Sequence, residues 1–341
     1  MKSIRIGTVL ALIGAAFAFA GGTQDASSYV IKLAYTPSTA NPQESPDVMY
    51  GKVFKEYVEA NAGGKLKVDI YSGGQLGSAA EMVQGVSSGA IEMAVINVNM
   101  LNNIYKPTMV LAVPGIFASV EECNAVLNGP WGASLFEGVR KASKIKVLDT
   151  GSNGFRNFTN NTREIKEMSD AKGITFRVME SPVSIKMVEA MGARAVPMPG
   201  SEMYMAMKTK VVDGQENPVL NIIQDKTYEV QKYLTLDGHM ASVMTYIIND
   251  DLFAKLPQDL QKVVVAGSRK GAEAANAVIK TRNEAGVEFL KQQGMTVTQP
   301  TREALRAWHK VIFDATQSYV REQIGNETVD TLILAIADQR K

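Results

Sequence analysis

Three short stretches with strand-like patterns, separated by two capped helices, constrain the fold of this chain more than any other feature. Residues 29–35, 65–71 and 91–96 alternate between apolar and polar side chains or run apolar, as strands do. The first helix begins at Ser45-Pro46, with serine as N-cap and proline at the first helical position. The second begins with the capping box Ser78-Ala79-Ala80-Glu81. This order of elements predicts a parallel sheet in an α/β fold.

Two polar residues stand at the ends of these predicted strands. Thr36 opens a polar loop after the first strand, and Asn97 follows the third. Open α/β sheets bind their ligands at the carboxyl ends of the strands. Thr36 and Asn97 are therefore expected near the carboxyl ends of their strands.

A later strand carries an arginine at the same kind of position. Residues 174–178 alternate between apolar and polar side chains, which predicts a short strand with Arg177 on the face opposite the core. Gly173 and Ser181-Pro182 bound the strand, so the arginine lies near its end. A guanidinium can bind a carboxylate through two parallel hydrogen bonds. The alternation alone also fits an arginine on a solvated strand face.

The N-terminus and the charge balance indicate an exported protein with a small ligand. Lys2 and Arg5 precede an apolar run at 6–19, and Ala18-Phe19-Ala20 is a small-x-small cleavage pattern. We therefore expect a signal peptide over 1–20, a flexible leader over 21–28 and a periplasmic location. Removing the signal peptide changes the formal net charge from +1 to −1, which argues against nucleic acid as a partner.

The residues that usually carry catalysis or bind metals are scarce. His239 and His309 have no second ligand-type residue at metal spacing, and Cys123, the single cysteine, can form no internal disulfide. The sequence therefore predicts no catalytic residue, no metal and no cofactor. Its polar signals are arginines and amides, and the segment 213–218 places Glu216 and Asn217 between apolar flanks.

Six motifs together resemble the solute receptors of tripartite ATP-independent periplasmic (TRAP) transporters, the dicarboxylate-receptor (DctP-like) family. The resemblance runs from about residue 29 to about residue 325. The motifs are Gly74-Gln75-Leu76-Gly77 with Glu81, Gly89-Ala90-Ile91-Glu92-Met93, Gly154-Phe155-Arg156-Asn157, Lys172-Gly173-Ile174-Thr175-Phe176-Arg177-Val178, Ser201-Glu202-Met203-Tyr204, and Val212-Asp213-Gly214-Gln215-Glu216-Asn217-Pro218.

The resemblance implies a two-domain periplasmic-binding-protein fold with an interdomain ligand cleft, crossing strands and a long connecting helix. Domain I is expected over 29–153 plus 243–282, and domain II over 154–242 plus 283–341. Arg177 would pair with a ligand carboxylate, Arg156 would assist it, and Asn217 would hydrogen-bond the same end of the ligand. The other expected ligand-binding residues are Asn97, Glu81, Thr36, Tyr204, Phe155 and Glu216.

Some of these roles have structural alternatives. Arg156 could instead satisfy loop carbonyls, and Tyr204 could be one residue of a core stripe on its helix. Glu216 would repel a carboxylate ligand unless it paired with an arginine, so we expect it behind the residues that touch the ligand.

The function expected from the resemblance is capture of an organic acid and its delivery to a symporter made of a small and a large membrane subunit. Gly200 stands where several relatives have a bulky aromatic residue, which favours a larger acid such as a uronate or another sugar acid. A C4-dicarboxylate and an aromatic keto acid are the alternative ligands. A receptor that docks to a membrane sensor and an exported enzyme are the alternative functions.

Overall fold

The computed structural model describes residues 29–37 and 45–341, so the predicted signal peptide and leader lie outside the described residues. The described strands form one mixed sheet in the order β2-β1-β3-β8-β4-β7-β5-β6, and β9 pairs with β8. The strands are β1 (Tyr29–Ala34), β2 (Leu66–Tyr71), β3 (Met93–Asn97), β4 (Ile145–Asn160), β5 (Thr175–Val178), β6 (Arg194–Pro197), β7 (Gly214–Pro218), β8 (Tyr233–Asn249) and β9 (Thr296–Thr298).

Eleven α-helices of the described residues cover this sheet. They are α1 (Pro46–Asn61), α2 (Ala79–Ser88), α3 (Val120–Leu127), α4 (Pro130–Ser143), α5 (Pro182–Ala190), α6 (Gly200–Lys208), α7 (Val219–Gln224), α8 (Asp250–Lys255), α9 (Gln258–Gln292), α10 (Arg302–Ile324) and α11 (Glu327–Gln339). Short 3₁₀ helices lie at Val98–Leu101, Lys106–Ala112, Met168–Ala171 and Thr227–Glu229. Among the described helices, none combines the length and the apolar character needed to cross a membrane.

The first lobe is built on strands β1, β2 and β3, and these strands have the parallel arrangement that the sequence predicts. Strand β1 pairs in parallel with β2 and with β3. Ser45 caps α1 by accepting a hydrogen bond from the backbone of Val48, and Ser78 forms a capping box with Glu81 at the start of α2. Between β1 and α1, residues 38–44 are outside the described part of the chain.

Two long antiparallel strands join the lobes at the centre of the sheet. Strand β4 pairs with β8 from residue 145 to residue 160, and three register shifts interrupt the ladder. Strand β8 also pairs with β3 of the first lobe, and β4 pairs with β7 of the second. The sheet therefore continues through both lobes.

The second lobe contains strands β5, β6 and β7, and its helices pack around β5. This strand lies between β6 and β7, parallel to both, and Phe176 is fully buried in a cluster with Phe158 and Trp308. Helix α9 follows α8 and packs along α1, so the long helix expected from the resemblance is present.

The last helix departs from the expected division of domains. Val329, Leu332 and Ile336 of α11 join the apolar core that contains Cys123 and Val126 of α3. The apolar face of an amphipathic helix packs against a core, and here α11 contacts helices α3 and α4 of the first lobe. Residues 327–339 thus pack on domain I, whereas the sequence-based division places them in domain II.

Candidate functional site

Arg177 lies near the end of β5 with one edge of its guanidinium held by the backbone. Its Nε and Nη2 donate to the carbonyl oxygen of Met198 at 3.0 and 2.7 Å, and Nη1 lies 3.7 Å from the sulfur of Met203. The residue is only 4% exposed. No carboxylate among the described residues forms an ion pair with it. Arg177 is therefore a buried cation with hydrogen-bond donors left for an anion.

Asn217 is brought to the same place by β7. Its Nδ2 lies 3.5 Å from the Met203 sulfur that also contacts Arg177, and it donates to Oε1 of Gln215 at 2.6 Å. Asn217 is 8% exposed. The structure therefore brings together the two residues expected at the carboxylate end of a ligand.

Arg156 lies on β4 and is paired with an acid. Its Nε and Nη2 donate to the two carboxylate oxygens of Glu216, and Nη2 also donates to the Glu216 carbonyl oxygen at 2.5 Å. Arg156 is 2% exposed and Glu216 is fully buried. Most donors of Arg156 are therefore occupied, and Glu216 lies behind it as an arginine partner.

His239 and Asp237 of β8 extend this ion pair into a network. His239 Nε2 is 3.3 Å from Glu216 Oε2, and Nδ1 is 2.6 Å from Asp237 Oδ2. Burial works against a charged ring, but Asp237 and Glu216 outweigh it and raise the pKa of His239 to about 9. Burial likewise works against ionised Glu216, yet Arg156 and His239 lower its pKa to about 2. Two cations and two anions thus compensate one another at neutral pH.

No acid among the described residues pairs with Arg177 in the way that Glu216 pairs with Arg156. Burial lowers its pKa to about 10, the charge of Glu216 opposes this shift, and the charge of Arg156 adds to it. Desolvation disfavours a charged group unless an opposite charge approaches. A bound carboxylate would supply that charge.

Asn97 and Phe155, two further predicted site residues, lie on β3 and β4. Asn97 Nδ2 donates to Ser242 Oγ at 3.1 Å, and Ser242 Oγ accepts from Nη1 of Arg156 at 3.4 Å. Phe155 is half-buried on β4 next to Arg156. Asn97 is therefore linked to the arginine cluster through one hydroxyl.

Three predicted site residues have local surroundings instead. Glu81 is exposed and accepts from the backbone of Ser78 at 2.7 Å in the capping box. The Tyr204 hydroxyl donates to Glu229 at 2.9 Å. Thr36 is exposed beyond the end of β1.

Sequence reasoning missed several buried polar residues near the site. His239 and Asp237 were not expected to be partners of Glu216, because ion pairs between distant strands leave no local pattern. Asp47 and Asn153 are each 4% exposed, and Asp225 is half-buried after α7. The described residues contain no group of acids, histidines or cysteines arranged to hold a metal ion.

The comparisons with known proteins decide the family. The family described as bacterial extracellular solute-binding protein, family 7 (DctP), matches residues 38–323. The chain belongs to this family. The resemblance inferred from the motifs is therefore confirmed, and the two-domain α/β fold of the TRAP periplasmic solute-binding proteins is confirmed with it.

Three similar proteins illustrate the comparison. The sugar acid binding protein DctPAm of Advenella mimigardefordensis, in complex with galactonate, is 29% identical with a TM-score of 0.87, covering 92% of this chain and 99% of that chain. A TRAP periplasmic solute binding protein from Ochrobactrum anthropi is 32% identical with a TM-score of 0.81, covering 93% and 97%. The 2,3-diketo-L-gulonate-binding periplasmic protein YiaO of Escherichia coli is 26% identical over 91% of this chain and 89% of its own.

Proposed function

We propose that this protein captures an organic acid in the periplasm by holding its carboxylate against Arg177. The observation that supports this most directly is a guanidinium that is 4% exposed and has no ion-pair partner among the described residues. Isolated buried charges are costly, and proteins retain them where a partner arrives later.

In the proposed bound state, the carboxylate lies against Nη1 and the free hydrogen of Nη2, with Asn217 beside it. Arg156 adds positive potential, and its remaining donor, Nη1, faces Ser242. Because Arg156, Arg177 and Asn217 are all less than one-tenth exposed, the acid must enter through a more open form. Closure of the two lobes would then remove the ion pair from water, as in other hinged receptors.

A sugar acid is the ligand class we favour. One similar protein is a sugar acid binding protein in complex with galactonate, and another is named as a 2,3-diketo-L-gulonate-binding protein. Gly200 supports the choice, because a side-chain carbon added there would lie 3.8 Å from Nη2 of Arg177. The missing side chain leaves room beside the carboxylate anchor for a branched or cyclic ligand.

The partners proposed for the closed, loaded receptor are the small and large membrane subunits of a TRAP transporter. This rests on membership of family 7 and on the TRAP proteins among its solved relatives. The predicted signal peptide fits such a receptor, because it would bring the chain to the periplasm where these subunits are reached.

The test begins with a thermal-shift screen of the mature protein against sugar acids, C4-dicarboxylates and aromatic keto acids. A ligand at about 100 times its dissociation constant adds about 2.7 kcal/mol to the unfolding free energy. Calorimetry with the acid that shifts the melting temperature then compares the wild type with Arg177→Ala. We expect the affinity to fall at least ~30-fold, because loss of a desolvated charge partner costs about 2–5 kcal/mol.

Arg163→Ala is the matched control. Arg163 also donates to two backbone carbonyls, those of Asp170 and Lys172, but it is exposed. Its replacement should leave the affinity unchanged. An Arg177→Ala protein that binds as tightly as the wild type would refute the proposed carboxylate anchor.

A further inference from the structure

Among the described residues, two buried oxygen acceptors, one on α1 and one on β4, lack hydrogen-bond partners. Asp47 Oδ1 and Asn153 Oδ1 have no hydrogen-bond partner within the described ranges, 29–37 and 45–341. Each residue is 4% exposed. Native proteins leave few buried polar atoms unsatisfied, so each one calls for an explanation. Both atoms can accept hydrogen bonds, which indicates that the missing group is a donor.

These acceptors lie on α1 of the first lobe and on β4, which joins the two lobes. Asp47 lies in the first turn of α1, and Met49 of the same helix joins an apolar cluster with Leu220 of α7 and Val278 and Ile279 of α9. Asn153 lies in β4 at one of its register shifts, three residues before Arg156. The acceptors therefore lie where both lobes meet.

Electrostatic coupling connects this position with the carboxylate anchor. The charges of Arg177 and Arg156 act on the carboxyl of Asp225, and Asp225 in turn acts on Asp47. Asp225 follows α7 directly, and Leu220 and Ile223 of α7 share an apolar cluster with Met49 of α1. The charges of Arg177, half-buried Asp225 and Asp47 thus interact in sequence, Arg177 with Asp225 and Asp225 with Asp47.

The hydrogen-bonding groups near Arg177 differ from those at Asp47 and Asn153. Arg177 offers hydrogen-bond donors and positive charge, whereas Asp47 and Asn153 offer acceptors. Burial raises the pKa of Asp47 to about 7, Asn153 opposes this by hydrogen bonding, and Asp225 adds to it. A second carboxylate on the ligand would be repelled here, while hydroxyl groups would satisfy the free acceptors.

We propose that Asp47 and Asn153 form a hydroxyl-binding subsite for the end of the ligand remote from its carboxylate. The inference rests on the proposed function, because it takes the Arg177 end as the carboxylate anchor. The subsite selects polyhydroxy monocarboxylic acids and rejects dicarboxylic acids of the same length. A site built to hydrogen-bond a hydroxyl discriminates strongly against analogues that lack it.

The experiment measures the affinities of two probes by calorimetry, galactonate with six carbons and D-erythronate with four. The wild type is compared with Asp47→Asn and Asp47→Ala. We expect Asp47→Ala to weaken galactonate binding about 10- to 100-fold, as the loss of hydrogen bonds to a charged group implies. Binding of D-erythronate, which is two carbons shorter and lacks the remote hydroxyl groups, should change less than about 3-fold.

Asp259→Asn is the control for a first-turn aspartate, because Asp259 holds the same helical position in α9 and is exposed. It should change neither affinity. A purely structural role of Asp47 would lower the melting temperature and weaken both probes by the same factor, and that result would overturn the inference. Unchanged galactonate binding in both Asp47 variants would overturn it as well.

The same experiment separates this inference from the proposed function. Galactonate binding that depends on Arg177 but not on Asp47 removes the subsite and leaves the receptor intact. Absence of binding by any sugar acid to the wild type removes the proposed ligand class, and the subsite with it.

Discussion

Arg156 and Arg177 lie on opposite sides of β7 and are almost equally buried, yet their surroundings differ. Arg156 is bound by Glu216, which His239 also contacts, whereas the hydrogen-bond partners of Arg177 among the described residues are the Met198 carbonyl and the Met203 sulfur. Successive residues of a strand point to opposite faces, so Glu216 reaches Arg156 while Asn217 lies with Arg177 against the Met203 sulfur. Strand β7 thus supplies an acid that pairs with Arg156, whereas Arg177 keeps hydrogen-bond donors that can bind a ligand.

The largest effect should come from removing the anion between Arg156 and His239. In Glu216→Gln, two buried cations lose their shared partner. We expect the unfolding free energy to fall by about 3–5 kcal/mol, as for other broken buried ion pairs. Denaturant unfolding followed by circular dichroism measures the change.

Glu137→Gln is the control for this variant, because Glu137 pairs with Arg140 on the surface of α4. Exposed ion pairs contribute little, so its unfolding midpoint should stay close to that of the wild type. Equal midpoints for Glu216→Gln and Glu137→Gln would contradict the compensated network around Arg156.

The second effect is a pH dependence. His239 titrates near 6.5 when unfolded and near 9 when folded, so its stabilising contribution is complete below about pH 6.5 and is lost as the pH rises through 9. Glu216 behaves oppositely, contributing above about pH 4.5 and losing its contribution as the pH falls towards 2. Between pH 6.5 and 9, the advantage of the wild type over His239→Gln should shrink by at most ~1.4 kcal/mol per pH unit.

His309→Gln is the control for the histidine measurement. Burial lowers the pKa of His309, so both its folded and unfolded forms are neutral above pH 7. The stability of this variant should therefore run parallel to the wild type over the alkaline range. A His239→Gln curve that is also parallel there would show that the ring is uncharged in the folded protein.

The smallest expected effect is the change in unfolding free energy when Arg177 is replaced. Replacing Arg177 by methionine removes an uncompensated buried charge and keeps most of the volume. We expect the unfolding free energy without ligand to stay the same or to rise by up to ~1 kcal/mol, while stabilisation by ligand disappears. A loss similar to that of Glu216→Gln would mean that Arg177 is structural, and the contrast between the two arginines would fail.

The sequence predicts the local parts of the fold better than its centre. The capped helices α1 and α2 and strands β1, β2, β3 and β5 follow from alternation and capping alone. Strand β7 was expected only as a buried polar segment, because Gly-Gln-Glu-Asn-Pro lacks the residues that favour strands. Strand β8 was not located from the sequence pattern, although crossing strands were expected from the resemblance, because its pairing depends on partners distant in the chain.

Some residues of the candidate site were likewise expected from the sequence, and others were found only in the structure. The motif resemblance supplied Arg156, Arg177, Asn217 and Glu216, which the structure brings together. Asp47 escaped notice because an acidic residue in a first helical turn is normally a solvated partner of the helix dipole. Only the folded structure shows that this one is buried.

The continuous sheet couples the unfolding of the two lobes. Since β4 and β8 each contribute hydrogen bonds to both lobes, neither lobe can complete its sheet from its own contiguous segment of chain. We therefore expect the lobes to melt together in one cooperative transition. An acid held in the second lobe would then protect amide hydrogens in the first lobe from exchange, even at strands it never touches.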